Sequence, residues 1–199
     1  MPYRLKEMVL TLQGEGSNAG RAVVLCRFEG CNLNCRFCDT DHSGVDGPGG
    51  GEFAAPGEVA AAAAARWQGE DGCRAVLCTG GEPLLQLDEG LVAEFHRRGF
   101  RVLVETNGTM PLPVGVDFVC VSPKEGKMPV IENGDELKLL YPLPGIDPAD
   151  YLHLSFEHFY LQPLWEEGSS GSVRAAAEYC MEHPRWRLSL QVHKYAGIP

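Results

Sequence analysis

The chain has 199 residues, 44% hydrophobic and 22% charged, the balance of a globular chain long enough to bury a core. Lys and Arg number 17 against 27 Asp and Glu, a formal net charge of −10 with no basic run to grip a phosphate backbone, which points away from nucleic acid and toward a small-molecule substrate. No apolar run approaches the roughly 18 residues a membrane span needs, and the opening MPYRLKEMVLTLQGEG lacks the apolar core and small-residue cleavage site of a secretory signal. Of the eight cysteines, 31, 35 and 38 cluster while 26, 73, 78, 120 and 180 scatter into other stretches. That is not a disulfide framework, and a reducing cytoplasm is the expected compartment. The five scattered cysteines are expected to pack as small hydrophobes.

The first strand is read at Ala22–Glu29, which is rich in β-formers. Gly44–Gly51 reads as a floppy surface loop. Pro56 opens a helix that runs through the alanines to Trp67. A strand at Ala75–Thr79, a helix at Leu84–Arg98 and a strand at Arg101–Thr106 follow. Short strands are expected at Phe118–Ser122 and Glu136–Leu140, and a mixed segment ending in a strand at Leu152–Leu161. Ser172–His183 reads as a helix, and Arg187–His193 alternates like a last strand. Strands alternating with helices argue for one α/β domain, 1–199, on a parallel sheet. Three strong helices are too few for a full eight-fold barrel, so an abbreviated, open (β/α) barrel is expected. Sites in such folds lie at the C-terminal ends of strands. The unusual residues fall there: Cys31 onward, Thr79-Gly80-Gly81-Glu82, Glu105-Thr106-Asn107-Gly108 and Ser122-Pro123-Lys124.

Cys31-Asn32-Leu33-Asn34-Cys35-Arg36-Phe37-Cys38 spaces three thiols as C-x3-C-x2-C. Thiolates at this density repel one another unless a metal neutralises them. Three of them can ligate three irons of a cubane and leave the fourth open for catalysis. Spacing alone also admits a structural zinc site closed by His42 or Cys26, or a C-x2-C redox dithiol.

With Phe37 before its last cysteine, the motif resembles the signature of the radical S-adenosylmethionine superfamily, and Gly80-Gly81-Glu82-Pro83 resembles its GGE motif. Leu12-Gln13-Gly14-Glu15-Gly16, Cys38-Asp39-Thr40, Ser122-Pro123-Lys124, Leu161-Gln162-Pro163 and Val192-His193-Lys194 together resemble the 7-carboxy-7-deazaguanine synthase family over essentially the whole chain. The resemblance implies a lyase of 7-deazapurine and queuosine biosynthesis. Its reaction contracts the ring of 6-carboxy-5,6,7,8-tetrahydropterin to 7-carboxy-7-deazaguanine with loss of ammonia, through a 5′-deoxyadenosyl radical. It implies a 4Fe–4S cluster on Cys31, Cys35 and Cys38, S-adenosylmethionine on the open iron, and Mg2+ at Thr40. It also implies a radical SAM-type abbreviated barrel, a homodimer and a flavodoxin-type or other electron donor. Two rivals are a glycyl-radical activase with a protein partner and a non-catalytic zinc-binding module. The missing extra cluster cysteines and the motif near Gln13 argue against the activase.

Matched one by one, Phe37, Asp39, Gly81, Glu82, Ser122, Lys124 and the run Gln162-Pro163-Leu164-Trp165 are the implied cofactor contacts. Leu12, Gln13, Gly14, Arg27, Thr79 and Pro199, through its terminal carboxylate, are the implied substrate contacts. Arg27 also has a reason of its own, since a guanidinium interrupting an apolar strand wants a carboxylate, from substrate or from Glu29 on the same strand face. Glu15 and Glu105 are candidates to accept the N–H donors of an amino-pyrimidinone edge. His96, His153, His158 and His183 read as surface or satisfied residues, and His193 has no assigned role.

Overall fold

The computed structural model describes residues 1–33, 35–124, 127–165 and 170–199. Its strands are β1 (Tyr3–Leu12), β2 (Ala22–Phe28), β3 (Gly51–Phe53), β4 (Ala75–Gly80), β5 (Arg101–Thr106), β6 (Phe118–Val121), β7 (Asn133–Tyr141), β8 (Ser155–Pro163) and β9 (Trp186–Leu188). Among the described residues the helices are α1 (Pro56–Arg66), α2 (Glu89–Arg97), α3 (Gly171–Glu182) and α4 (Val192–Ala196). All nine strands form one sheet in the order β3-β1-β2-β4-β5-β6-β7-β8-β9. From β2 to β9 every pairing is parallel, whereas β1 runs antiparallel to both β2 and β3. The expected parallel sheet is therefore mixed at one edge.

β1 has no counterpart among the elements expected from sequence, and the cause is an irregularity. Its register against β2 shifts between Leu5 and Glu7. A bulge breaks the period of two, so Leu5 and Met8 both reach the core although they lie three positions apart. Two further expectations are corrected. Residues 192–196 form α4 rather than the end of a strand. The glycine-rich stretch is fastened to β1 through Met8 N to Pro48 O (2.9 Å) and Gly47 N to Lys6 O (2.9 Å), and it ends in β3.

The helices supply the core side of the sheet. Pro56 stands in the first turn of α1, where its missing N–H costs nothing, and Val59, Ala60 and Ala63 form the buried stripe. The Asp88 side chain caps α2 by accepting from Leu91 N (2.8 Å), and Leu91, Val92 and Phe95 bury its apolar face. The outer-face residues of β1 to β8 pack beneath these helices into one apolar cluster, with α3 contributing Ala176. The opposite face is apolar low down, where Val23, Leu25, Ala75, Leu77 and Leu103 pack together. Above them it turns polar, and there it faces the cavity. Cys26, Cys78 and Cys120 are buried as expected, but Cys73 is exposed and Cys180 half-buried.

Candidate functional site

Residues from strands at both ends of the sheet line one cavity of about 560 Å³, from Glu7 on β1 to Gln162 on β8. The sheet thus curls around a space of the size ligand sites take. Two segments close it. The β1–β2 turn folds inward and is held by Ser17 N to the Glu136 carboxylate (2.6 Å) and Gly16 N to Ser189 Oγ (3.0 Å). The C-terminal segment is held by Val192 N to Gly14 O (2.9 Å) and Thr11 Oγ1 to Pro199 O (2.8 Å). Pro199 is therefore docked against β1 and lines the cavity.

The cysteine loop follows β2 at the mouth. Cys31, Cys35 and Cys38 all line the cavity. Leu33 N lies 3.4 Å from Cys31 Sγ, a donor suited to a thiolate. Burial pushes the Cys31 thiol up, and a bound metal would favour its thiolate. The loop is braced from β4: Glu82 N donates to Gly30 O (2.9 Å), and a Cβ on Gly81 would stand 2.1 Å from Gly30 O and 2.8 Å from Cys31 Cβ. Only glycine lets the two segments approach so closely. From β5, Asn107 Nδ2 donates to Asn32 Oδ1 (3.0 Å). Among the described residues no three His, Cys, Asp or Glu side chains converge as ligands of a single ion. Three thiols on one loop that line the same cavity have the donor chemistry an iron–sulfur cubane takes.

Glu82 and Pro163, expected among the cofactor contacts, do not line the cavity. Glu82 is fully buried and accepts from Thr106 Oγ1 (2.7 Å), Asn107 N (2.8 Å) and Leu84 N (3.0 Å). Burial raises its pKa despite these bonds, and its visible work is to tie the ends of β4 and β5 together. The other expected contacts do line the cavity: Phe37, Asp39, Gly81, Ser122, Lys124, Gln162, Leu164 and Trp165. Lys124 Nζ donates to Ser122 Oγ (2.6 Å), and burial together with the nearby Lys138 lowers its pKa. Thr40 also lines the cavity, its hydroxyl 3.4 Å from Asp39 Oδ1.

Leu12, Gln13, Gly14, Arg27 and Thr79 line the same cavity. The partner of Arg27 is not Glu29. Glu29 pairs with Arg4, while Arg27 Nε meets Glu7 Oε1 at 2.6 Å across the β1–β2 register. Sequence proximity pointed to a neighbour two residues away, but the bulge in β1 turns Glu7 toward Arg27. Glu15 and Glu105 both line the cavity and are joined by Lys138, a residue that no sequence motif singled out. Lys138 Nζ contacts Glu15 and stands 3.0 Å from Glu105. Gln162 and Gln191 donate to Glu15 at 3.0 and 2.9 Å, and Gln13 donates to Glu105 at 3.0 Å. The available signal was the alternation Glu136, Lys138, Leu140, which sets the lysine on the strand face opposite the apolar Leu137 and Leu139. His193 and Lys194 were also missed as site residues. Lys194 pairs with Asp39 (2.6 Å) and stands 5.1 Å over the Trp165 ring.

A curled, largely parallel sheet with three thiols on the loop after its first parallel strand defines a radical S-adenosylmethionine enzyme. Residues 25–126 match the Radical SAM superfamily, a class that implies a 4Fe–4S cluster and S-adenosylmethionine. The 7-carboxy-7-deazaguanine synthase of Bordetella pertussis is 51% identical over 210 residues, and that of Caulobacter vibrioides is 50% identical over 210, each alignment covering 100% of both chains. A crystal structure of QueE from Escherichia coli superposes with a TM-score of 0.74 at 26% identity, covering 97% of this chain and 95% of that one. The chain belongs to the 7-carboxy-7-deazaguanine synthase family. Among the described residues no helix is long and apolar enough to cross a membrane.

Proposed function

We propose that this chain, acting as one domain over 1–199, converts 6-carboxy-5,6,7,8-tetrahydropterin to 7-carboxy-7-deazaguanine with loss of ammonia, in the cytoplasm and as a homodimer. What supports this reading is that the thiol loop and a carboxylate-recognising and donor-recognising wing share one cavity. Cys31, Cys35 and Cys38 would hold the cluster, which when bound would supply the one-electron reduction of S-adenosylmethionine and so the hydrogen-abstracting chemistry. The protein's own residues bind and orient. Glu7 holds Arg27 by Nε, leaving its terminal nitrogens for the substrate carboxylate. Glu15 and Glu105 accept from the amino-pyrimidinone edge, and Leu12, Gln13, Gly14, Thr79 and the Pro199 carboxylate frame the ring. Phe37, Asp39, Gly81, Ser122, Lys124 and the segment Gln162 to Trp165 surround the cofactor. The inward turn and the docked tail exclude water, which keeps a reactive carbon radical from straying.

Thr40 offers Mg2+ a hard oxygen donor beside the substrate wing, with substrate and water completing the shell. A flavodoxin-type or other one-electron donor would supply the electron that a bound cluster needs. The test is anaerobic turnover of 6-carboxytetrahydropterin with and without Mg2+. Brown protein with about four iron and four sulfide per chain is expected, and Thr40→Ala weakens the magnesium dependence while leaving the cluster. Zinc in place of iron, or full activity in Cys35→Ala, rejects the reading.

A further inference from the structure

We propose that Lys138 is a positioning residue for substrate recognition: by bridging Glu15 and Glu105 it holds both carboxylates facing one wing of the cavity, so that the site selects a heterocycle presenting an edge of N–H donors. The proposal rests on the pterin reading above and adds to it the residue that sets ring specificity.

Lys138 rises from the inner face of β7 and is 5% exposed. Its ammonium joins two elements that no backbone pairing joins, the inward turn through Glu15 and β5 through Glu105. The ammonium bridges the two carboxyl groups, and all three members of the trio line the cavity. The groups around the trio point the same way. Gln13, Gln162 and Gln191 each spend an amide N–H on these carboxylates. The carbonyl ends of two of them are already occupied, Gln13 Oε1 by Glu15 N (3.2 Å) and Gln162 Oε1 by Ser189 Oγ (3.1 Å).

What remains open is acceptor capacity. A carboxylate offers about four acceptor sites. Glu15 accepts from Lys138, Gln162 and Gln191, and Glu105 from Lys138 and Gln13, with the Thr79 hydroxyl farther off at 3.4 Å. A ring edge carrying N–H groups finds partners there, and an edge carrying carbonyl oxygens meets like charge. Arg27, on the same wing, holds the opposite polarity for a carboxylate. The two poles fix which way round the ring lies.

The experiment compares two ligands, 6-carboxytetrahydropterin and its 2-oxo analogue tetrahydro-6-carboxylumazine. Binding is measured by anaerobic calorimetry with S-adenosylmethionine present and no reductant. Wild type prefers the 2-amino ring. In K138M and K138Q this preference falls by roughly tenfold or more, on the scale of losing one partner of a buried ion pair. S-adenosylmethionine affinity is unchanged, and K138R retains the preference. If the neutral variants weaken both ligands equally, Lys138 is structural only and the proposal is overturned. Should neither neutral variant fold, K138Q/E15Q, which removes one charge of each sign, carries the same comparison: a lost preference supports the proposal and an equal weakening of both ligands overturns it. A wild type that binds neither ring instead refutes the proposed function.

Discussion

Gly14 has no room for a side chain. A Cβ there would stand 1.8 Å from His193 Nδ1 and 2.9 Å from the His193 backbone nitrogen, so the turn and α4 could not both keep their places. Gly14→Ala should destabilise the fold by about 1–3 kcal/mol, as overpacking does, and raise KM for the pterin more than for S-adenosylmethionine. Thermal melts and steady-state kinetics read the two effects. Glu15 gives a pH signature. Burial alone would raise its pKa, but the Lys138 charge and hydrogen bond, with help from Gln191, bring it from 4.5 down to about 2. A carboxyl held low in the folded state stabilises the fold above its ordinary pKa and loses that contribution as pH falls through the lower value. The Tm gap between wild type and Glu15→Gln should be widest above pH 4.5 and close as pH approaches about 2. A gap unchanged across that window would mean that Glu15 is not held by charge. At this scale the sequence exposed the residues whose type is odd for their place: three thiols together, Arg27 in an apolar strand, Thr79 at a strand end. It hid those whose partners come from across the fold. Lys138 in Asp-Glu-Leu-Lys reads as surface, Glu7 sits beyond a bulge, and Glu82 looks like a ligand contact until its three donors are seen.

The elements were legible where one periodicity ran unbroken. β2, β4 and β5 are apolar strands, and α1 carries a clear start signal in Pro56; the helix read from Leu84 starts five residues before α2, because Pro83–Leu85 forms a separate short turn and Asp88 caps the helix proper. β1 failed because its bulge breaks the alternation, and α4 failed because five residues are too few to show a helical period. α4 is held by contacts rather than by propensity, since helices this short are marginal alone. Its outer anchor is Lys194 with Asp39, side chains 22% and 50% exposed, aided by Tyr195 against Trp165 at 5.5 Å. Exposure keeps that ion pair worth no more than about 1 kcal/mol. Lys194→Met should therefore leave the global melt nearly unchanged while speeding proteolytic clipping of the tail, which limited digestion with and without S-adenosylmethionine would register. α2 is the opposite case. Leu91 is fully buried, and Leu91→Ala should cost about 2–5 kcal/mol through the cavity it leaves, seen in denaturant melts without any change in the S-adenosylmethionine or pterin affinity of the folded fraction.

At the scale of the molecule, stability and chemistry occupy opposite faces of the sheet. The large apolar cluster lies between the strands and α1 to α3, and Cys31, Cys35 and Cys38 contribute nothing to it. The loop that carries them is positioned by backbone and side-chain bonds from β4 and β5, formed by protein groups alone. A small metal-built module behaves otherwise: its metal replaces a core, and chelation unfolds it. Here the apolar cluster is built without the three thiols. Removing iron, by chelation or in Cys35→Ala, should abolish the brown colour and turnover yet leave far-ultraviolet circular dichroism as it was. Tm should move by no more than about 4 °C, on the order of 1 kcal/mol for a chain of this size. The shift that does occur should come from the mouth, where burial already disfavours a bare Cys31 thiolate, and hydrogen exchange should quicken in the cysteine loop while β4, β5 and α2 keep their protection. Cooperative unfolding of the whole sheet on iron removal would contradict this division, because it would require the thiol loop to hold together strands that the apolar cluster already binds.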